Sequence, residues 1–157
     1  MKIAEGYLRT QIENMPEKEK RPLIEYLDRG RAAADEGMRL LFAGKYDDFY
    51  KSTSKEFQKN YSPEQFKQII EIFQKQAGEI FYYEYRNQSI ELPPGVELSA
   101  DLSKATSNVY YFIKVSKVFS DGIFIDIETT VEDGRHKISF LTTTNYGENV
   151  PKWLLKQ

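Results

Sequence analysis

The chain is predicted to be an α+β domain, and three local signals carry that prediction. "YSPEQFKQIIEIFQKQAG" reads as a capped amphipathic helix. After Gly78 the spacing of apolar residues changes from a helical period to an alternating one. "VEDGRH" then puts Asp133-Gly134 where a two-residue hairpin turn belongs. Helices first and antiparallel strands afterwards define the class.

Along the chain, residues 1 to 14 place Ile3, Tyr7, Leu8 and Ile12 near one face of a short helix. "MPEKEKRP" reads as a charged, proline-bounded hinge, so residues 1 to 21 are expected to form an N-terminal helical extension or linker. Pro22 suits the first turn of the next helix. From there Leu23, Ile24, Leu27, Ala34, Met38 and Leu41 recur at helical spacing, and Gly44 is placed to end the run. "YDDFYKST" gives a short helix with Tyr46, Phe49 and Tyr50 turned inward.

The next helix is the most fully specified. Ser62 supplies the N-cap oxygen, Pro63 fits the first turn, and Gln65 completes a capping box. Phe66, Ile69, Ile70, Phe73 and Ala77 form one apolar stripe, and Phe73, at its middle, is expected to be buried. Gly78 stops the helix.

Four strands follow, at about 79 to 91, 107 to 119, 123 to 132 and 135 to 146. The Asp133-Gly134 turn predicts a register in which Ile127 faces Phe140, Thr129 faces Ile138 and Val131 faces His136. "VFSDGIFI" signals a second hairpin. A three-residue loop there would set Val115 beside Ile127 and Lys114 beside Glu128. "ELPPGVELSADLSKATSN" is a long proline-bearing connection expected on the rim. Residues 22 to 157 thus read as one domain.

Composition narrows the possible roles. A chain of 157 residues suffices for one domain with its own core. A net charge of −2, with lysines dispersed among acids, gives no stripe for nucleic acid. No apolar run is long enough to span a bilayer, so no membrane span is expected. The sequence has no cysteine, which excludes disulfides and thiol chemistry. The N-terminal "MKIAEGYLRTQIENM" lacks the continuous apolar stretch of a signal peptide. The compartment stays open, cytoplasmic if Met1 is the native start and extracytoplasmic if a leader has been removed.

The order of long helix, short helix, capped helix and strands resembles the nuclear transport factor 2-like superfamily, the cystatin-like α+β cone, and within it small bacterial domains of unknown function. The stretches that carry the resemblance are "AAADEGMRLLFAGKYDDFYKSTSKEF", "SPEQFKQIIEIFQKQAGEI" and the strands, about residues 30 to 147. The resemblance implies N-terminal helices packed on a curved four-stranded antiparallel sheet. It also implies that the sheet wraps the third helix and leaves a pocket at the open end. The superfamily includes the ketosteroid isomerases, which use an Asp base and a Tyr-containing oxyanion hole. The acids and tyrosines here do not match that pattern residue by residue.

Candidate site residues were weighed against simple packing. In "FYYEYR" simple alternation puts Ile80 and Tyr82 on one face and Phe81, Tyr83 and Tyr85 on the other, and core packing is the favoured role for such rings. Tyr46, Tyr50, Tyr82 and Glu84 are the ligand-pocket candidates, where rings could hold a carboxylate in an apolar setting. His136, the single histidine, is expected to be structural or exposed, and with no cysteine beside it zinc is improbable. Asp126 and Glu128 read as solvated ion pairs with cross-strand lysines. No phosphate loop, nucleophile elbow or dinucleotide fingerprint is present. No catalytic residue, metal or cofactor is therefore assigned. The expected role is a non-catalytic module binding an unknown small molecule or protein, with a homodimer through the sheet as one possibility. The alternative is a small isomerase-like or hydrolytic enzyme with a carboxylate and tyrosines in the pocket.

Overall fold

A computed structural model describes residues 2–99, 101–119 and 122–145. Five helices are present: α1 (Glu5–Glu13), α2 (Glu17–Phe42), α3 (Tyr46–Lys51), α4 (Lys55–Asn60) and α5 (Pro63–Ala77). The strands are β1 (Lys2–Ala4), β2 (Ile80–Glu91), β3 (Thr106–Val115), β4 (Ile123–Glu132) and β5 (Arg135–Asn145). They form one antiparallel sheet in the order β1-β2-β3-β4-β5. The class is α+β, as the sequence predicts, with five strands where four were expected. The expected end of the last strand, at 146, lies outside the described residues.

The added strand comes from the segment expected to be helix or linker. Ile3 pairs with Ile90 on the edge of β2. Leu8 and Ile12 of α1 are buried beside Leu23, Tyr26, Ile90, Leu92 and Leu102 in a second, smaller core. Three residues are too few to announce a strand by alternation, which is why β1 was read as part of the helix. The hinge is also shorter than expected. α2 begins at Glu17, so Pro22 falls in its second turn rather than its first.

α2 is the helix that lies on the sheet, and the third helix of the expected pattern does not take that place. Its buried face runs through Tyr26, Gly30, Ala34, Gly37, Met38 and Leu41. Gly30 and Gly37 permit the close approach. A Cβ at Gly30 would lie 2.7 Å from Ser107 Oγ, and one at Gly37 2.7 Å from Ile138 Cδ1. Ile24, expected inside, is exposed. The helix ends as foreseen at Gly44, whose φ is 73°. The Gly44 N–H donates to Leu41 and the Lys45 N–H to Leu40, the paired bonds of a Schellman motif.

α5 carries its full capping box. Ser62 Oγ accepts from Gln65 N–H, and Gln65 Oε1 accepts from Ser62 N–H. It packs on α3 through stacked Phe49 and Phe66 rings, 5.5 Å between centroids. Phe66, Ile70 and Ala77 are buried, while Ile69 and Phe73 are only half-buried, because the second half of the helix overhangs a cavity. α4 was not anticipated; Ser54 caps it by accepting from Phe57 N–H. The connector before it bonds to β5 in parallel: Ser54 N–H donates to Ile138 O, and Ile138 N–H to Ser52 O.

Bulges decide the sheet register. Val131 faces His136 and Thr129 faces Ile138, as expected. One extra residue, Ser139, then puts Leu141 opposite Ile127 and Phe140 opposite Glu128. The β3–β4 connection is longer than three residues. Val109, not Val115, stands opposite Ile127, and Asn108, not Lys114, opposite Glu128. In β2, Phe81 and Arg86 are the extra residues.

Candidate functional site

An apolar recess lies where α2 ends, α5 overhangs and the sheet begins. Its volume is about 440 Å³. Leu41 and Phe42 come from α2, Ile69, Ile70 and Phe73 from α5, and Ile80, Ile125 and Leu141 from the sheet. Gly78 makes this junction possible. Its φ is 83°, and a Cβ there would stand 2.0 Å from Ser116 Oγ. The chain can therefore turn sharply out of α5, with Lys117 N–H donating to Ala77 O and Ser116 N–H to Glu79 O.

One polar pair faces this apolar wall. The Gln74 side-chain amide donates to the Tyr46 hydroxyl at 2.6 Å. Burial raises the Tyr46 phenol above its ordinary value, so it stays protonated at neutral pH and keeps a proton to donate. Thr142, Thr143 and Glu79 complete the polar lining. A mostly apolar cavity of this size with a few convergent polar groups suits a small organic ligand.

The four sequence-predicted pocket residues do not form one site. Tyr46 lines the cavity. Tyr50 instead donates to Tyr61 O at 2.6 Å and packs its ring on Phe57 and Phe66, tying α3 to the start of α5. Tyr82 and Glu84 meet each other on the face of the sheet away from α2. There the Tyr82 hydroxyl donates to Glu84, and Arg86 pairs with Glu84 at 3.1 Å. The Glu84 side chain is 40% exposed, so this is a solvated cluster.

The bulge at Phe81 resolves the aromatic run. It shifts the alternation by one, so Ile80, Tyr83 and Tyr85 share the α2 face, where the sequence alone paired Ile80 with Tyr82. Tyr83 meets Phe42 and Tyr111 edge-on. Arg31 lies 3.4 Å over the Tyr85 ring, and the Tyr85 hydroxyl donates to Glu5 at 2.9 Å. Burial and that acceptor push the Tyr85 phenol up to about 12. Phe81 is 59% exposed and Tyr82 40%. Tyr83 and Tyr85 are therefore packing groups, and Phe81 and Tyr82 face solvent.

Asp126 and Glu128 differ most from expectation. Asp126 is only 5% exposed, and Glu128 is half-buried. The lysine partner expected for Glu128 is elsewhere, since Lys114 pairs with Tyr82 and sits over its ring. Burial first, and then the Glu128 charge, push the Asp126 carboxyl up to about 7. Glu128 is raised as well, by burial and then by Glu91. Asp126 Oδ1, both amide atoms of Asn108 and Ser89 Oγ are buried without a hydrogen-bond partner. Register puts Ser89, Asn108 and Glu128 in one row across the sheet, with Tyr110 and Asp126 in the next. The signal was present as polar residues on one face of neighbouring strands. It became legible only with the correct loop length between β3 and β4.

Among the described residues, no cluster of His, Cys, Asp and Glu has the geometry to hold a metal ion. Among them also, no helix is long and apolar enough to cross a membrane. No family model, curated protein or solved structure matches the chain.

Proposed function

We propose that the chain is a non-catalytic binding module whose ligand is a small, largely apolar molecule with one hydrogen-bonding head group. The observation that carries this reading is the 440 Å³ cavity with its Tyr46–Gln74 pair set in an apolar wall. The apolar body lies against Phe42, Ile69, Phe73 and Leu141, and the head group exchanges hydrogen bonds with Tyr46 and Gln74. Asp126 and Glu128, the carboxyls that burial raises, stand on the opposite face of the sheet. Neither of these raised carboxyls lines the cavity, which favours binding over turnover.

The test is titration with medium-chain fatty alcohols, followed by amide chemical shifts. Saturable shifts at Tyr46, Gln74 and Leu141 are expected. Tyr46→Phe should weaken binding, and Ile69→Trp should abolish it by filling the space. Shifts that spread over the surface without saturation, or binding indifferent to Ile69→Trp, would refute the reading. Self-association through the sheet is a second proposal, motivated by the exposed Phe81 and Tyr82 rings of β2. Sedimentation equilibrium tests it, and a monomer at all accessible concentrations would remove it.

A further inference from the structure

A hollow of about 270 Å³ lies between α2, the 102–103 segment and the β4–β5 hairpin, at the opposite end of α2 from the cavity. It holds the single histidine of the chain. His136 Nδ1 is 3.1 Å from Thr129 Oγ1, its ring meets Tyr26 edge-on at 4.7 Å, and its Cε1 sits in the space that Gly30 leaves open. Tyr26, Arg29 and His136 all line the hollow.

Two of its groups, Arg29 and His136, have donor capacity that a solute can reach, while the Tyr26 hydroxyl is closed to solvent. Tyr26 is 6% exposed, yet its hydroxyl has no hydrogen-bond partner. Burial raises this phenol strongly, so it remains protonated. Arg29 forms no ion pair among the described residues. Glu25, the one acid lining the hollow, is engaged by Arg21 at 3.7 Å. His136 is held below its ordinary value by burial and then by Arg29, so it is neutral at pH 7. When the Thr129 hydroxyl donates to Nδ1, the ring carries its proton on Nε2. Ser103 adds no donor, because its hydroxyl already serves Asp101 at 2.7 Å.

We propose that this hollow is a small-oxyanion site, holding a carboxylate or phosphate group against the Arg29 guanidinium and the Nε2–H of His136. The donor set suits an oxyanion: one fixed positive charge and one neutral donor lining the same hollow. An anion there supplies the missing counter-charge of Arg29. The site is separate from the apolar cavity and does not depend on its occupancy.

His136 reports on the site directly, because one histidine gives one set of imidazole resonances. The experiment is NMR titration of His136 in the full chain, with inorganic phosphate, with acetate, and with sodium chloride at matched ionic strength. An anion beside the ring favours its charged form, so phosphate or acetate should raise the His136 pKa saturably while chloride leaves it unchanged. Acetate alone would assign the site to carboxylates, phosphate alone to phosphates. Arg29 is exposed, so R29Q preserves the fold. This variant should weaken oxyanion binding by about tenfold or more, and its His136 should titrate higher when no oxyanion is added. Y26F keeps the ring contact with His136 and should bind with unchanged affinity. The same His136 pKa with and without oxyanion, an equal response to chloride, or an undiminished response in R29Q would each overturn the proposal.

Discussion

Along β4, Ile123, Ile125 and Ile127 enter the main core on one face, while Phe124, Asp126 and Glu128 stand on the other. Asp126, at 5% exposure, is nearly as dry as Ile125 at 3%. Ile125 and Asp126 are alike in burial and opposite in energetic consequence. Each isoleucine gains by leaving water. Asp126 Oδ1 and the Asn108 amide lose their water and receive no hydrogen bond from the described residues in return. Burial thus stabilises the α2 face and leaves the outer face with hydrogen-bonding capacity that the described residues do not meet.

The largest expected effect is on the α2 side. Phe49 is fully buried and stacked on Phe66. Phe49→Ala should cost about 3–5 kcal/mol in chemical denaturation. A loss below 1 kcal/mol would mean that this core is not the source of stability.

The outer face should respond to pH in a way the inner face does not. The Asp126 carboxyl titrates higher folded than unfolded, so its contribution is fully present below the unfolded value near 4. It is lost progressively as pH rises to about 7. The upper bound of that loss is roughly 4 kcal/mol. Asp126→Asn should flatten the dependence, leaving the variant more stable than the parent at pH 8 relative to pH 4. Parallel pH profiles for the two proteins would show that Asp126 ionises freely.

Gly78 joins the two regimes by starting β2. Gly78→Ala must adopt a positive φ and meet Ser116 Oγ, and should cost roughly 1–3 kcal/mol, read as a lower denaturation midpoint. The smallest effect belongs to Ser62→Ala, about 1 kcal/mol through loss of the N-cap acceptor. An unchanged midpoint would show that the cap is not limiting.

What was legible in the sequence follows from the range of the forces involved. Ser62, Gln65, Gly44, Gly78 and the Asp133-Gly134 turn act within a few residues, and they fall where the sequence places them. The Ser54 cap was equally local and passed unread in the short α4. The bulges at Phe81, Arg86 and Ser139 depend on which side chains another strand presents, which one strand's alternation cannot reveal. One misjudged loop length between β3 and β4 moved the register by six residues, from Val115 to Val109 opposite Ile127. That single error hid the burial of Asp126. Of the candidate site, Tyr46 was legible from its inward position on a short helix. Gln74 was not, because a polar residue flanking an apolar stripe gives no sign of what it meets.

The bond pair between Ser52–Ser54 and Ile138 bears on how this protein stays dispersed. β5 ends the sheet, and an end strand offers its unpaired backbone to any passing extended chain. By occupying both backbone groups of Ile138, the α3–α4 connector closes the first part of that seam from within the same molecule. At the other margin, β1 covers residues 89 to 91 of β2, and the bulges at Phe81 and Arg86 break the regularity of what remains. A growing fibril would find neither margin straight. The connector between two short helices thus takes up one ladder position of the β5 edge.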